Sequence, residues 1–163
     1  MSKTYINKIK VYLNQSYRED TKGYILDNSK AMFFTDGYSI IKLFDTTYTR
    51  KQRNDILNEL NEIETLKTSV LNIFNKFQES EFNIQSKIIS TQKDEFNLKQ
   101  YIIFENNNLT FDYTKILRIA RIIGKNEEIS FYTSNKYKDT ICMVGQYGVA
   151  FLLGCKRLKE VSK

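Results

Sequence analysis

The chain has no histidine, tryptophan or proline, and only two cysteines and six glycines in 163 residues. Each shortage closes off a class of function. Without histidine, neither Ser–His nor Cys–His nucleophile activation is available, and two cysteines without histidine cannot build a zinc site of the usual kind. Cys142 and Cys155 lie in apolar C-terminal runs and are expected to be buried reduced thiols rather than a disulfide. No glycine-rich phosphate loop occurs; Gly145-Gln-Tyr-Gly148 is shorter than any such motif and reads as a hairpin turn. No run approaches the roughly 18 apolar residues of a membrane span, and Met1-Ser-Lys-Thr-Tyr5 lacks the apolar stretch of a secretory leader. A cytoplasmic location without membrane association is the expectation.

What is present is globular material with a basic balance. Hydrophobic residues make up 41% of the chain, enough for residues 1–163 to bury a core as a single domain. A formal net charge of +6 favours an anionic partner, nucleic acid first, although a basic surface also serves solubility. Asn, Lys, Ile and Tyr are abundant, as in an AT-biased genome such as that of a low-GC bacterium or its phage.

Ile6, Ile9 and Leu13, set against Lys3, Asn7, Lys10 and Asn14, predict a short helix over 4–14 with a basic, polar outer face. Strands follow at 24–26, 31–35 and 38–44, the last two joined by Asp36-Gly37, where glycine supplies positive φ without steric cost. From about 49 to 80, Ile56, Leu60, Ile63, Leu66, Val70, Phe74 and Phe77 recur at helical spacing. That pattern fits a helix or helical hairpin that either packs on the sheet or binds a partner. Strand-like runs return at 84–90, 101–104 and 109–111. Asp112 as N-cap and Gly124 at the C-cap position bracket a second helix, and strands at 129–133, 140–144 and 149–153 end the pattern.

Two features bear on function. In the second helix Lys115, Arg118, Arg121 and Lys125 share one face, while Ile116, Ile119, Ala120 and Ile123 occupy the other, and no Asp or Glu interrupts 115–125. Such a stripe either presents cations to phosphates, releasing counterions, or is a solvated face. The second feature is an internal echo. A helix and strands near the N-terminus are answered by a helix and strands near the C-terminus, with Phe33-Phe-Thr35 matching Phe131-Tyr-Thr133. Tyr17, Tyr48, Tyr137 and Tyr147 fall in or beside predicted loops, where a base can stack. A carboxylate nuclease drawn from Glu81, Glu95 and Lys99 uses residue types too frequent here to be a signal. No catalytic residue, metal ligand or cofactor is therefore assigned, and the chain reads as non-enzymatic.

The order of helix, strands, Thr-Asp-Gly hairpin, basic helix and strands resembles one domain of a DNA sliding clamp, as in the bacterial β clamp. Phe33-Phe-Thr-Asp-Gly-Tyr-Ser-Ile-Ile41 is similar to the clamp hairpin that reads roughly Ala-Thr-Asp-Gly-His-Arg-Leu. Phe111-Asp-Tyr-Thr-Lys-Ile-Leu-Arg-Ile-Ala-Arg121 resembles the second pore helix and its entry, and Val149-Ala-Phe-Leu-Leu-Gly-Cys-Lys-Arg-Leu158 the terminal strand. The resemblance implies an α+β fold: a clamp-like domain of two βαβββ-type halves, with two basic helices packed on antiparallel sheet and a helical insertion at about 49–80. It implies that Lys3, Lys8 and Lys10 on the first helix, and Lys115, Arg118, Arg121 and Lys125 on the second, face duplex DNA without reading its sequence. By the same likeness Leu153, Cys155, Arg157 and Leu158 would line a pocket for a peptide of DNA polymerase or another replication protein. The implied role is that of a processivity factor or replication accessory. Clamps join two or three such domains in one chain whereas this chain has one, so a ring requires a homo-oligomer. Gly154-Cys-Lys156 departs from the family's apolar, Pro-containing run. The other reading open at this point is an interaction module for phage or host replication or defence that uses the 49–80 helix without forming a ring.

Overall fold

The computed structural model describes residues 3–13, 24–27, 31–36, 38–44, 49–59, 79–93, 100–105, 109–125 and 128–154, the side chains of 3, 4, 24–27, 31, 57 and 59 excepted. Helix α1 (Lys3–Leu13) leads into a meander of β1 (Tyr24–Asp27), β2 (Ala31–Thr35) and β3 (Ser39–Phe44). Helix α2 (Arg50–Glu59) and a single 3-10 turn (Glu79–Glu81) follow. Next come β4 (Ile84–Ser86), β5 (Ile88–Lys93), β6 (Gln100–Phe104) and β7 (Thr110–Asp112). Helix α3 (Tyr113–Ile123) then leads into a second meander of β8 (Ser130–Thr133), β9 (Thr140–Val144) and β10 (Gly148–Leu153). The class is α+β with antiparallel sheets.

The large sheet has the order β1-β2-β3-β10-β9-β8-β4. Its six leading strands form a palindrome. Helices α1 and α3 are each followed by three strands, and the last strands of these two units meet antiparallel, Leu43 opposite Gly148 and Ser39 opposite Leu152. The strands read as nearly continuous apolar runs because both faces of the sheet are covered. Met32, Phe34, Ile41, Leu43, Ile141, Met143, Ala150 and Leu152 point to the helices, where they bury Ile6, Ile9, Tyr12 and Leu13 of α1 and Ile116, Ile119, Ile122 and Ile123 of α3. The alternate residues Phe33, Ile40, Cys142, Val149 and Phe151 point the other way, onto Phe82. Phe82 stacks on Tyr137 at 5.6 Å and leans on Phe151 at 5.1 Å. Tyr137, read as a possible stacking residue for a base, is thus occupied by Phe82, and Tyr147 packs against the helix-side core. Tyr17 and Tyr48 lie outside the described residues.

This alternation revises the echo. Phe33-Phe-Thr35 lies in β2, the second strand of its unit, whereas Phe131-Tyr-Thr133 lies in β8, the first of its own. The triplets are also out of phase, since Phe33 faces away from the helices and Phe131 toward them. The repeat holds between elements and not between these residues.

The single strand expected over 84–90 is two strands. The chain changes sheets at Lys87: β4 pairs with β8, while β5 pairs with β6 in the three-stranded sheet β5-β6-β7. Glu105 N–H donates to Lys87 O at 2.9 Å, and Ser86 Oγ to Glu105 O at 2.6 Å, which pins the corner. Of the helical pattern at 49–80, α2 covers Arg50–Glu59 and residues 60–78 lie outside the described ones. Its start is a capping box: Gln52 N–H donates to Thr49 Oγ1 at 3.2 Å and Thr49 N–H to Gln52 Oε1 at 2.8 Å. Ile56 is fully buried in the helix-side core. Among the described residues no helix is long and apolar enough to cross a membrane.

Candidate nucleic-acid interface

Asp112 caps α3 as its sequence position indicates, its Oδ1 accepting from Thr114 N–H at 2.9 Å and Lys115 N–H at 3.4 Å. At the other end Gly124 N–H donates to Ala120 O at 2.9 Å. Its φ of −108° is open to any residue, so glycine's freedom at positive φ is not what ends the helix. A side chain there would run into Ile129 Cδ1 and Glu128 O, at 2.7 and 2.9 Å from a Cβ. Tyr147 N–H, from the β9–β10 turn, satisfies the last-turn carbonyl of Ile123 at 2.7 Å.

Helices α1 and α3 run antiparallel, side by side, on one face of the large sheet. Tyr5, near the start of α1, donates its hydroxyl to Ile122 O near the end of α3 at 2.6 Å. Tyr12, near the end of α1, reaches the turn that also receives Lys115 from the start of α3. Between the two helices lies an open groove of about 220 Å³ lined by Asn7, Lys8, Val11, Arg118 and Arg121. The two helices therefore bring Lys8 together with Arg118 and Arg121 from far apart in the chain. Val11 lines the same groove and is 51% exposed. Among the described residues no carboxylate pairs with Lys8 or Arg118. Lys10 is half-buried on α1, and Lys125, just past the end of α3, is exposed. The side chain of Lys3 lies outside the described ones.

Lys115 belongs to a different environment from the rest of the stripe. Its ammonium lies 3.7 Å from Asp36 Oδ2 and 4.1 Å from the centre of the Tyr38 ring, and its side chain is only 13% exposed. Helical spacing placed it with Arg118 and Arg121; a carboxylate from the β2–β3 turn draws it to the flank. That turn is closed by Asp36. Its Oδ1 accepts from Tyr38 N–H at 2.9 Å, Ser39 N–H at 2.8 Å and Ser39 Oγ at 2.9 Å. Thr35 Oγ1 adds a bond to Ser39 O at 2.7 Å. Asparagine and aspartate close turns in this way by imitating a backbone acceptor. Gly37, expected to supply the turn's positive φ, lies outside the described residues. The Tyr12 hydroxyl shares a 2.8 Å hydrogen bond with Ser39 Oγ. Burial, reinforced by the charge of Asp36, pushes that phenol well above its usual range.

Of the residues assigned to a peptide pocket, Leu153 is exposed at the end of β10, its N–H donating to Tyr38 O at 3.0 Å. Cys155, Arg157 and Leu158 lie outside the described residues. Gly154 packs beneath Leu109 and Phe111, so closely that a Cβ would stand 2.7 Å from Leu109 Cβ. Glu81 sits in the 3-10 turn, while Glu95 and Lys99 lie outside the described residues. Among the described residues no three His, Cys, Asp or Glu side chains are grouped to hold a metal. No protein family, curated protein or solved structure matches this chain.

Proposed function

We propose that this chain is a non-enzymatic, sliding-clamp-like protein that contacts duplex DNA through α1 and α3, as a processivity factor or related replication accessory. The observation that carries the reading is the groove, which joins Lys8 of α1 to Arg118 and Arg121 of α3. The support from the fold is the palindromic sheet: two helix-plus-three-strand units place their helices together on one face, where both can address one cylinder of phosphate. Each helix has 11 residues and is about 16 Å long, enough to follow several phosphates. Three of the five residues lining the groove are cations, Lys8, Arg118 and Arg121, and the contact proposed for them is with phosphate, which is electrostatic and indifferent to sequence.

Lys8, Lys10, Arg118, Arg121 and Lys125 are the proposed contacts, and Lys115 contributes only when it leaves Asp36. If all five engage, the logarithm of the binding constant falls with the logarithm of salt at a slope of about −4.5. Fluorescence anisotropy on two unrelated duplexes of equal length measures this. Equal affinities and a steep slope are expected, with Arg118→Glu/Arg121→Glu reducing affinity by at least about tenfold at low salt. Salt-insensitive binding, or a double variant that binds as the parent does, defeats the reading. The clamp form further requires several copies of the chain around the duplex. Light scattering at micromolar concentration tests that, and a strict monomer removes the ring while leaving the groove. A polymerase or another replication protein is the proposed partner at the end of β10, beside Leu153.

A further inference from the structure

A second surface, which shares no residue with the helix groove, is the outer edge of β5. In the order β5-β6-β7, β5 is paired on one side only among the described residues. Ile88 and Ile89 are 43% and 57% exposed, two adjacent large apolar side chains left outside the core. The pairing with β6 steps from Ile88 opposite Phe104 to Ser90 opposite Ile103, so Ile89 is the extra residue of a bulge. A bulge breaks the in-and-out alternation and re-aims a side chain, which is how neighbours come to be exposed together. Natural sheets commonly blunt a free edge with an internal charge, a proline or a very short strand. β5 has six residues, Ile-Ile-Ser-Thr-Gln-Lys, and its middle carries no charge and no proline. Lysines stand only at its two ends, Lys87 and Lys93, both exposed.

We infer that the outer edge of β5 captures an extended segment of a partner protein, with a β-branched centre and acidic residues flanking it, as a fourth strand of the small sheet. Main-chain hydrogen bonds supply the affinity in this mode of recognition, and side chains at alternate positions supply the selectivity. Charge decides the occupant. A second copy of this chain, paired about a two-fold axis at Ser90, opposes Lys87 of each copy to Lys93 of the other, on molecules each carrying a formal charge of +6. Like charges directly opposite across a strand pair are destabilising. An acidic-flanked strand turns both contacts favourable and leaves its apolar centre against Ile88 and Ile89.

The test uses the full chain and a fluorescein-labelled synthetic peptide, Asp-Glu-Thr-Val-Ile-Val-Thr-Val-Glu-Asp, followed by anisotropy. Saturable binding is expected. It should weaken about tenfold with Ile89→Lys, and about tenfold with Lys87→Glu/Lys93→Glu. The double variant should in turn prefer a peptide whose acidic residues are replaced by lysine. That charge swap keeps the test decisive if Ile89→Lys fails to fold, because both lysines are exposed. A peptide N-methylated at alternate residues, which removes main-chain donors, should not bind. The inference is overturned if the acidic peptide does not bind at about 1 mM, if binding ignores Ile89 and the charge swap, or if sedimentation shows self-association that Ile89→Lys abolishes. The last result gives the edge to a second copy.

Discussion

Replacing Asp36 perturbs the β2–β3 turn and the interface at once, because its two oxygens serve different masters. Oδ1 accepts two backbone N–H bonds and one hydroxyl bond, at 2.8–2.9 Å, from Tyr38 and Ser39. Oδ2 has no hydrogen bond and faces Lys115 Nζ at 3.7 Å. Asp36→Ala strands both backbone donors in a site where the residue is 1% exposed. The Ser39 hydroxyl keeps its bond to Tyr12 and adds little to the loss. At about 1.5–3 kcal/mol for each bond to a charged acceptor, less the relief of no longer burying a carboxylate, the net loss is about 2–4 kcal/mol. Asp36→Asn keeps an acceptor at Oδ1 but sets an amide against the lysine, which costs about 1–2 kcal/mol. Urea unfolding of the three proteins should rank them parent, Asn, Ala. The Asn variant also removes the counter-charge from Lys115, adding one cation to those available for phosphate, so its salt slope on duplex DNA should steepen by about 0.9. An Asn variant within about 0.5 kcal/mol of the parent shows that the carboxylate does not hold the turn. An unchanged or shallower slope shows that Asp36 does not hold Lys115 away from DNA.

Three further outcomes follow from the packing. Phe82→Ala empties the space between Tyr137 and Phe151 on the outer face of the sheet and should cost about 3–4 kcal/mol in urea unfolding, whereas Glu79→Gln, which breaks a half-exposed 4.0 Å pair with Lys42, should cost under about 0.5 kcal/mol. Gly148→Ala drives a methyl into the carbonyl of Lys42 on β3 and should lower stability by about 2 kcal/mol or more, read as a fall in the urea midpoint without a change in m-value. At alkaline pH, burial first and then the charge of Glu79 push the Cys142 thiol from 9.0 up to about 12. The folded state therefore retains a proton that the unfolded chain has released. Stability from this group is full below pH 9 and declines between 9 and 12 by up to about 1.4 kcal/mol per pH unit. Cys142→Ala should make the decline of unfolding free energy across that window shallower, and an unaltered slope refutes the assignment. Tyr12, raised for the same reason, acts in the same direction above its own usual range.

The strands were legible because their residues obey a local rule. Ala31–Thr35 and Thr140–Val144 are β-rich runs bounded by turn residues, and their limits in the structure match the expected ones. Helix α3 was equally open to reading, since Asp112 and the Ile stripe act within one turn of each other. The capping box of Thr49 and Gln52 was legible too, and would have fixed the start of α2. What escaped depends on distant parts of the chain. No local pattern marks Lys87 as the residue where a strand leaves one sheet for another, because the switch is imposed by β8 on one side and β6 on the other. Likewise, helical spacing correctly gave Lys115, Arg118 and Arg121 neighbouring positions, yet it could not register a carboxylate that arrives from β2–β3.

The same distinction explains why the residue-level echo misleads while the element-level repeat survives. Phe33-Phe-Thr35 and Phe131-Tyr-Thr133 look alike because any strand buried on both faces needs a large apolar group on each side, and aromatics with β-branched neighbours meet that need. Such a triplet carries no information about which strand of a meander it occupies, and here the two triplets occupy different strands with opposite phase. A repeat of helix followed by three antiparallel strands is more demanding. It predicts that the third strands of the two units can meet and that both helices fall on the same face. The pairing of β3 with β10 and the hydroxyl bond from Tyr5 to Ile122 satisfy both conditions. The groove that joins Lys8 to Arg118 and Arg121 is thus a product of the repeat, not of either helix. A change that removes one tie between the helices without touching a cation, Tyr5→Phe, should weaken DNA binding in the anisotropy assay measurably but less than the double charge reversal does, and an affinity equal to the parent's shows that this tie does not set the groove.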